Sequence, residues 1–143
     1  MLTIQLTHPP LLAALAAAGH GSKVLIADSN YPHATAHGPN ATVVHLNVSR
    51  GLVNGPDTLA AIASVIQIES AAVMAPGDDF LPVHDDYRRL LGADVPVTIM
   101  ERFDFYDACR GNDLALLVAT GEDRIYANLL LTIGVASGTQ ETN

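Results

Sequence analysis

Short apolar runs alternate with helix-forming stretches along most of this chain, and that alternation limits the fold more than any other feature. The runs at 23–27, 42–47, 71–74, 95–100, 114–119 and 128–133 are rich in Val, Leu and Ile, the pattern of buried strands. Between them lie helical stretches. Residues 11–18 are almost all Leu and Ala, strong helix formers, opened by His8-Pro9-Pro10 and closed by Gly19. Residues 56–66 repeat Leu59, Ile62, Ala63 and Ile66 at helical spacing, while 83–91 and 103–109 read as shorter helices. The expected class is α/β, with a mostly parallel or mixed central sheet flanked by helices. In such sheets ligands gather at the carboxyl ends of strands. Asp28, Glu101-Arg102 and Thr120-Gly121-Glu122 each follow a predicted strand. The stretch 28–40 has no period and is expected to be a loop long enough to serve a function.

Length and charge narrow the possibilities. A chain of 143 residues is expected to form one domain over 1–143, with 1–7 and 137–143 peripheral. Hydrophobic residues make up 49% and charged residues only 15%, enough for a sizeable core and a hint of apolar surface shared between subunits. With Trp absent, that core must be Ala, Val, Leu and Ile. A formal charge of −8 argues against nucleic acid and against anionic lipid as partners. Cys109 stands alone, which rules out an internal disulfide and suits a packing role. The first residues lack a basic leader region and no apolar run is long enough to span a bilayer, so the cytoplasm is the expected location.

Gly19-His20-Gly21 puts an imidazole in a flexible turn just before a buried strand, with Asp28 beyond that strand's far end. His20 reads either as a helix-end histidine favoured by the dipole or as a proton donor in a glycine-lined pocket. Asp28 reads either as a turn residue or as an acceptor for a polar ligand. His33 and His37 are four apart, but Pro32, Gly38 and Pro39 oppose a helix there, and no metal site is expected. No Gly-x-Ser-x-Gly elbow is present, and the glycine turn precedes a strand rather than opening a helix, against nucleotide binding. Arg102 offers a fork of donors beside Phe103, Phe105 and Tyr106, which form either a packing face or a wall for a sugar. Tyr126 and Asn128, at i and i+2, would face one side of an extended segment and present a phenol and an amide together.

Taken in order, Gly-His-Gly, an apolar strand, Asp, a Pro-containing loop, Arg102-Phe103-Asp104-Phe105-Tyr106, Thr120-Gly121-Glu122 and Tyr126-Ala127-Asn128-Leu129-Leu130-Leu131 resemble the RbsD/FucU family of sugar mutarotases. The resemblance runs from about Leu11 to Val135. It is closer to the L-fucose branch, because Arg102 stands where the ribose pyranase branch typically carries a histidine. It implies an isomerase that interconverts the α and β anomers of a monosaccharide, L-fucose or a related sugar. It implies His20 as catalytic proton donor and Asp28, Arg102, Tyr126 and Asn128 as substrate-binding residues. It further implies a cofactor-free homo-oligomeric ring, often a decamer, with sites near subunit contacts. The alternative is a non-catalytic sugar-binding accessory protein of a transport or utilisation system. The chain departs from the family pattern in the loop 30–40 and around Arg110-Gly111-Asn112.

Overall fold

In the computed structural model of the protein, residues 1–138 are described, and the remainder of the tail expected to be peripheral lies outside them. In chain order the elements are α1 (Pro9–Ala17), β1 (Lys23–Ala27), β2 (Thr42–His45), α2 (Gly55–Ala63), β3 (Ile68–Met74), α3 (Pro82–Leu91), β4 (Val97–Met100), α4 (Arg102–Cys109), β5 (Leu114–Ala119) and β6 (Leu129–Ile133). The strands form one six-stranded sheet in the order β2-β5-β1-β6-β3-β4. β1, β2 and β5 pair in parallel, as do β3 and β4, and β6 runs antiparallel to both β1 and β3. Five strands therefore point one way and β6 alone points back, the mixed α/β sheet expected from the alternating pattern.

Side chains alternate across the sheet and fill two apolar layers. Val24 and Ile26 of β1 face the layer covered by α1, α2 and α3, which contribute Leu11 and Leu15, Leu59 and Ile62, and Val83 and Tyr87. Leu25 and Ala27 face the other layer, covered by Phe105 and Cys109 of α4 and by Tyr31 and Ala36 of the 28–41 loop. With both faces covered, Val24–Ala27 is fully buried, which is why this strand reads as an unbroken apolar run. Leu6, in the segment expected at the periphery, is buried in the same layer as Leu11.

Local chemistry sets the element ends. Gly21 takes a positive φ of 82° in the turn into β1, open to glycine at no steric cost. Asn54 caps α2 by accepting the Asp57 N–H at 2.8 Å, with Pro56 in the first turn. The expected helix 56–66 ends at Ala63, because residues from Ile68 onward join β3, three positions earlier than the run at 71–74 suggests. The predicted strand at 95–100 begins only at Val97, since Pro96 has no N–H to give and serves through its carbonyl, which accepts from Ala71.

Candidate functional site

Because five strands share a direction, the carboxyl ends of β1, β3, β4 and β5 meet the amino end of β6 at one edge of the sheet. A cavity of about 300 Å³ opens there, lined by Asp28, Asn30, Tyr31, Met74, Arg102, Tyr106, Ile125, Tyr126 and Asn128. Four of the five residues singled out in the sequence line it. The fifth, His20, does not.

Asp28 follows β1 directly and is 2% exposed. Its Oδ1 accepts the Asn30 N–H at 3.0 Å and its Oδ2 accepts the Ala127 N–H at 3.2 Å. A carboxylate has about four lone-pair positions, so each oxygen retains one for a ligand hydroxyl. Burial pushes its pKa up, against the lowering effect of the Ala127, Asn30 and Tyr31 N–H groups and of His33. The Asp28 N–H donates to Asn128 Oδ1 at 2.7 Å. That bond assigns the orientation of the Asn128 amide, whose Nδ2 is the group left to donate to a ligand.

Arg102 is the first residue of α4, two positions beyond β4, and the short connection carries it to the cavity. Glu101 caps that helix, its carboxylate accepting the N–H groups of Phe103 and Asp104 at 2.9 and 3.4 Å. Arg102 Nη2 lies 3.5 Å from the Tyr126 hydroxyl, at the outer limit of a hydrogen bond. The two groups can share a single ligand oxygen. Tyr106, one turn along α4, packs edge-on to Tyr31 at 5.4 Å and contributes to the wall, whereas Phe103 is 66% exposed and does not line this cavity.

Tyr126 reaches the cavity differently from the way its spacing suggests. Residues 126 and 128 do not lie in an extended segment. Tyr126 has a φ of 57°, the left-handed region, and is the non-glycine residue with positive φ among the described residues. Holding such a residue there costs about 1–2 kcal/mol. The loop around it is tied down on several sides. Glu122 is buried and accepts from Gly55 N–H at 3.0 Å, from Arg124 N–H at 3.1 Å and from the Arg124 guanidinium at 2.9 and 3.1 Å. Arg124 also donates to Asp86 of α3 at 2.8 Å. Burial raises the Glu122 pKa, but these donors outweigh it and hold the carboxyl below its ordinary value. The Tyr87 hydroxyl donates to the Ala127 carbonyl at 2.7 Å, and a β-carbon at Gly55 would collide with that phenol.

His20 lies at the opposite edge of the sheet. It precedes β1, whose five residues alone span about 16 Å at ~3.3 Å per residue. Its side chain is 59% exposed, and its Nε2 donates to Glu69 Oε2 at 3.0 Å. It borders a separate hollow with Gly19, Ser64, Gln67 and Ile133. Within one copy of the chain, His20 and Asp28 therefore do not meet. His33 and His37 are engaged with backbone carbonyls, of Asp28 at 2.8 Å and of Gly38 at 3.0 Å. Cys109 is buried, its thiol pushed up to about 11 chiefly by that burial.

Met74 and Tyr31 were not singled out in the sequence. Met74 ends β3, so the strand-end rule that picked out Asp28 applies to it equally. Tyr31 gives no such signal, because a loop fold, with its hydroxyl donating to the Ala36 carbonyl at 2.6 Å, brings it in.

Residues 1–136 match the RbsD / FucU transport protein family. Fucose mutarotase of Danio rerio is 35% identical to the chain, over 89% of this chain and 88% of that protein. Fucose mutarotase of Homo sapiens is 32% identical, over 91% and 90%. The crystal structure of the fucose mutarotase from Streptococcus pneumoniae in complex with L-fucose aligns with a TM-score of 0.76 at 28% identity, covering 96% of this chain and 100% of that one. The sheet with its lone reversed strand, the polar cavity at its edge and these likenesses lead to one statement: the chain belongs to the RbsD/FucU family.

Proposed function

We propose that the protein is a sugar mutarotase, an isomerase interconverting the α and β anomers of a monosaccharide, with L-fucose or a closely related sugar as substrate. The observation that carries this reading is the cavity at the strand ends. Its volume of about 300 Å³ suits a small organic ligand, and Asp28, Arg102, Tyr126 and Asn128 offer it both acceptors and donors from fixed positions. Tyr106 and Met74 supply apolar surface for the less polar face of a sugar. The fucose mutarotases among its relatives favour catalysis over a sugar-binding accessory role.

Anomer exchange needs the ring to open and close. A proton is delivered to the ring oxygen and another leaves the anomeric hydroxyl. The bond between the anomeric carbon and the ring oxygen breaks, its electron pair staying on oxygen, and the open-chain aldehyde forms. Rotation about the adjoining carbon–carbon bond presents the other face, and the same proton transfers run in reverse. Nothing is oxidised or reduced. His20 is the proton donor in this reading, since imidazole exchanges protons near neutral pH, and Glu69 orients its ring. A positioned acid–base group contributes about 10²–10⁴-fold.

His20 and the cavity lie at opposite sheet edges of one chain, so in this reading a second copy supplies His20. A closed ring, such as a decamer, supplies it repeatedly by setting one copy's His20 edge against its neighbour's cavity. Ile125, which lines the cavity, and Phe103 at the start of α4 are 65% and 66% exposed, apolar surface that suits such a contact. Among the described residues no helix is long and apolar enough to cross a membrane, and a cytoplasmic location fits this reading. Saturation-difference NMR over a panel of monosaccharides tests the function: L-fucose should show anomer exchange above the uncatalysed rate. A flat response across the panel contradicts it.

A further inference from the structure

We propose that His84 is a positioning residue for the sugar site, holding Tyr126 in its left-handed conformation by a hydrogen bond to its carbonyl; this rests on the mutarotase reading above. His84 lies on α3, is fully buried and does not line the cavity. Its Nε2 is 2.7 Å from the Tyr126 carbonyl oxygen, and its Nδ1 is 2.9 Å from the Leu81 backbone nitrogen. A carbonyl can only accept and a backbone N–H can only donate. His84 is therefore neutral with its proton on Nε2, and both ring nitrogens are satisfied. Phe80 packs edge-on to the imidazole at 6.2 Å, which fixes the ring plane.

The bond falls where the loop most needs it. Tyr126 is a bulky residue in a backbone region that strongly favours glycine. The conformation persists only if neighbouring contacts hold it. Ala127, the next residue, is held from both sides, its N–H by Asp28 and its carbonyl by Tyr87. The bond from His84 completes the set at Tyr126 itself. Without it, a partly buried carbonyl loses its partner and the turn is free to relax, taking the phenol away from Arg102. α3 thus shapes the cavity from behind without touching a ligand.

The test compares His84→Leu, which removes the donor, with His84→Gln, whose amide can still donate to the Tyr126 carbonyl. Tyr87→Phe serves as a further variant should His84→Leu fail to fold, removing the neighbouring hydrogen bond to Ala127. For L-fucose exchange, His84→Leu should raise KM about tenfold, the value of one lost hydrogen bond, with His84→Gln returning to within about threefold of the wild type. Tyr87→Phe should raise KM in the same direction. Crystal structures of the variants read the turn without any sugar: Tyr126 should leave the positive-φ region in His84→Leu and keep it in His84→Gln. An unchanged Tyr126 φ together with an unchanged KM in His84→Leu overturns the proposal, as does failure of His84→Gln to restore either. If the wild type exchanges no sugar while the turn is lost only in His84→Leu, the positioning role stands and the mutarotase reading falls.

Discussion

The two edges of the sheet are built on opposite principles. At the carboxyl edge, Asp28, Glu122 and Asn128 are buried and bonded to the backbone, and even the left-handed Tyr126 is tied to α3. At the amino edge, His20 is exposed, with Glu69 as its one hydrogen-bond partner among the described residues. Asp28 and Asn128 at the first edge are already held by hydrogen bonds before any ligand arrives, which reduces the ordering cost of binding. The second carries the group suited to move a proton, beside a hollow distinct from the polar cavity. In the proposed mechanism each copy of the chain holds both halves of the chemistry apart, and assembly would join them.

The contrast predicts different consequences for substitutions at each edge. The largest effect is expected at the exposed one. His20→Ala should reduce anomer exchange by about 10²-fold or more, yet shift stability by no more than about 0.5 kcal/mol. Exchange by NMR and a thermal melt read the two quantities side by side. At the buried edge, function and stability should fall together. Asn128→Ala leaves the buried Asp28 N–H without its acceptor and should cost about 1–3 kcal/mol in denaturant unfolding. It should also weaken sugar binding, seen by titration calorimetry. An Asn128→Ala protein as stable as the wild type would erase the distinction between the edges.

Smaller effects appear in the dependence of stability on pH. Glu122 is held below its ordinary value of 4.5, so the unfolded chain takes up its proton first as pH falls. Its contribution is complete above about pH 4.5 and is lost as pH drops through the folded value. Glu122→Gln should flatten the acid limb of a stability profile. His84 is held below 6.5, chiefly by burial, opposed by the Tyr126 carbonyl and Asp85. Its contribution is likewise complete above about pH 6.5 and declines below it, so His84→Gln should remove that part of the slope. The smallest effect is chemical: with its thiol raised to about 11 and buried, Cys109 should resist alkylation at neutral pH in the native protein and react only on unfolding.

These contrasts also account for what could be read from the chain. The strands were legible because burial on both sheet faces leaves unbroken apolar runs such as Val24-Leu25-Ile26-Ala27. The rule that ligands gather at strand ends led to Asp28 and Arg102 without knowledge of strand order. Tyr126 and Asn128 were reached by an extended-strand argument that the left-handed turn does not obey, and they line one cavity for a different reason. The stretch 83–91 read as a polar helix, although Val83, Tyr87 and Leu91 at i, i+4 and i+8 mark Tyr87 for the covered face; nothing in the residue type of His84 marks it as fully buried. Both side chains donate to loop carbonyls some forty positions away, partners that no local pattern records. The strand that separates His20 from Asp28 was legible, since the glycine turn precedes its apolar run and Asp28 follows it.

The most direct test of that separation mixes two inactive variants. His20→Ala keeps an intact cavity, and Arg102→Ala keeps an intact His20. Unfolded together and refolded as mixed assemblies, they should recover about a quarter of wild-type anomer exchange, the share of interfaces that random pairing in a closed ring makes whole. Recovery at that level is what a site shared between copies predicts. A mixture as inactive as its parents, despite demonstrated co-assembly, would contradict it.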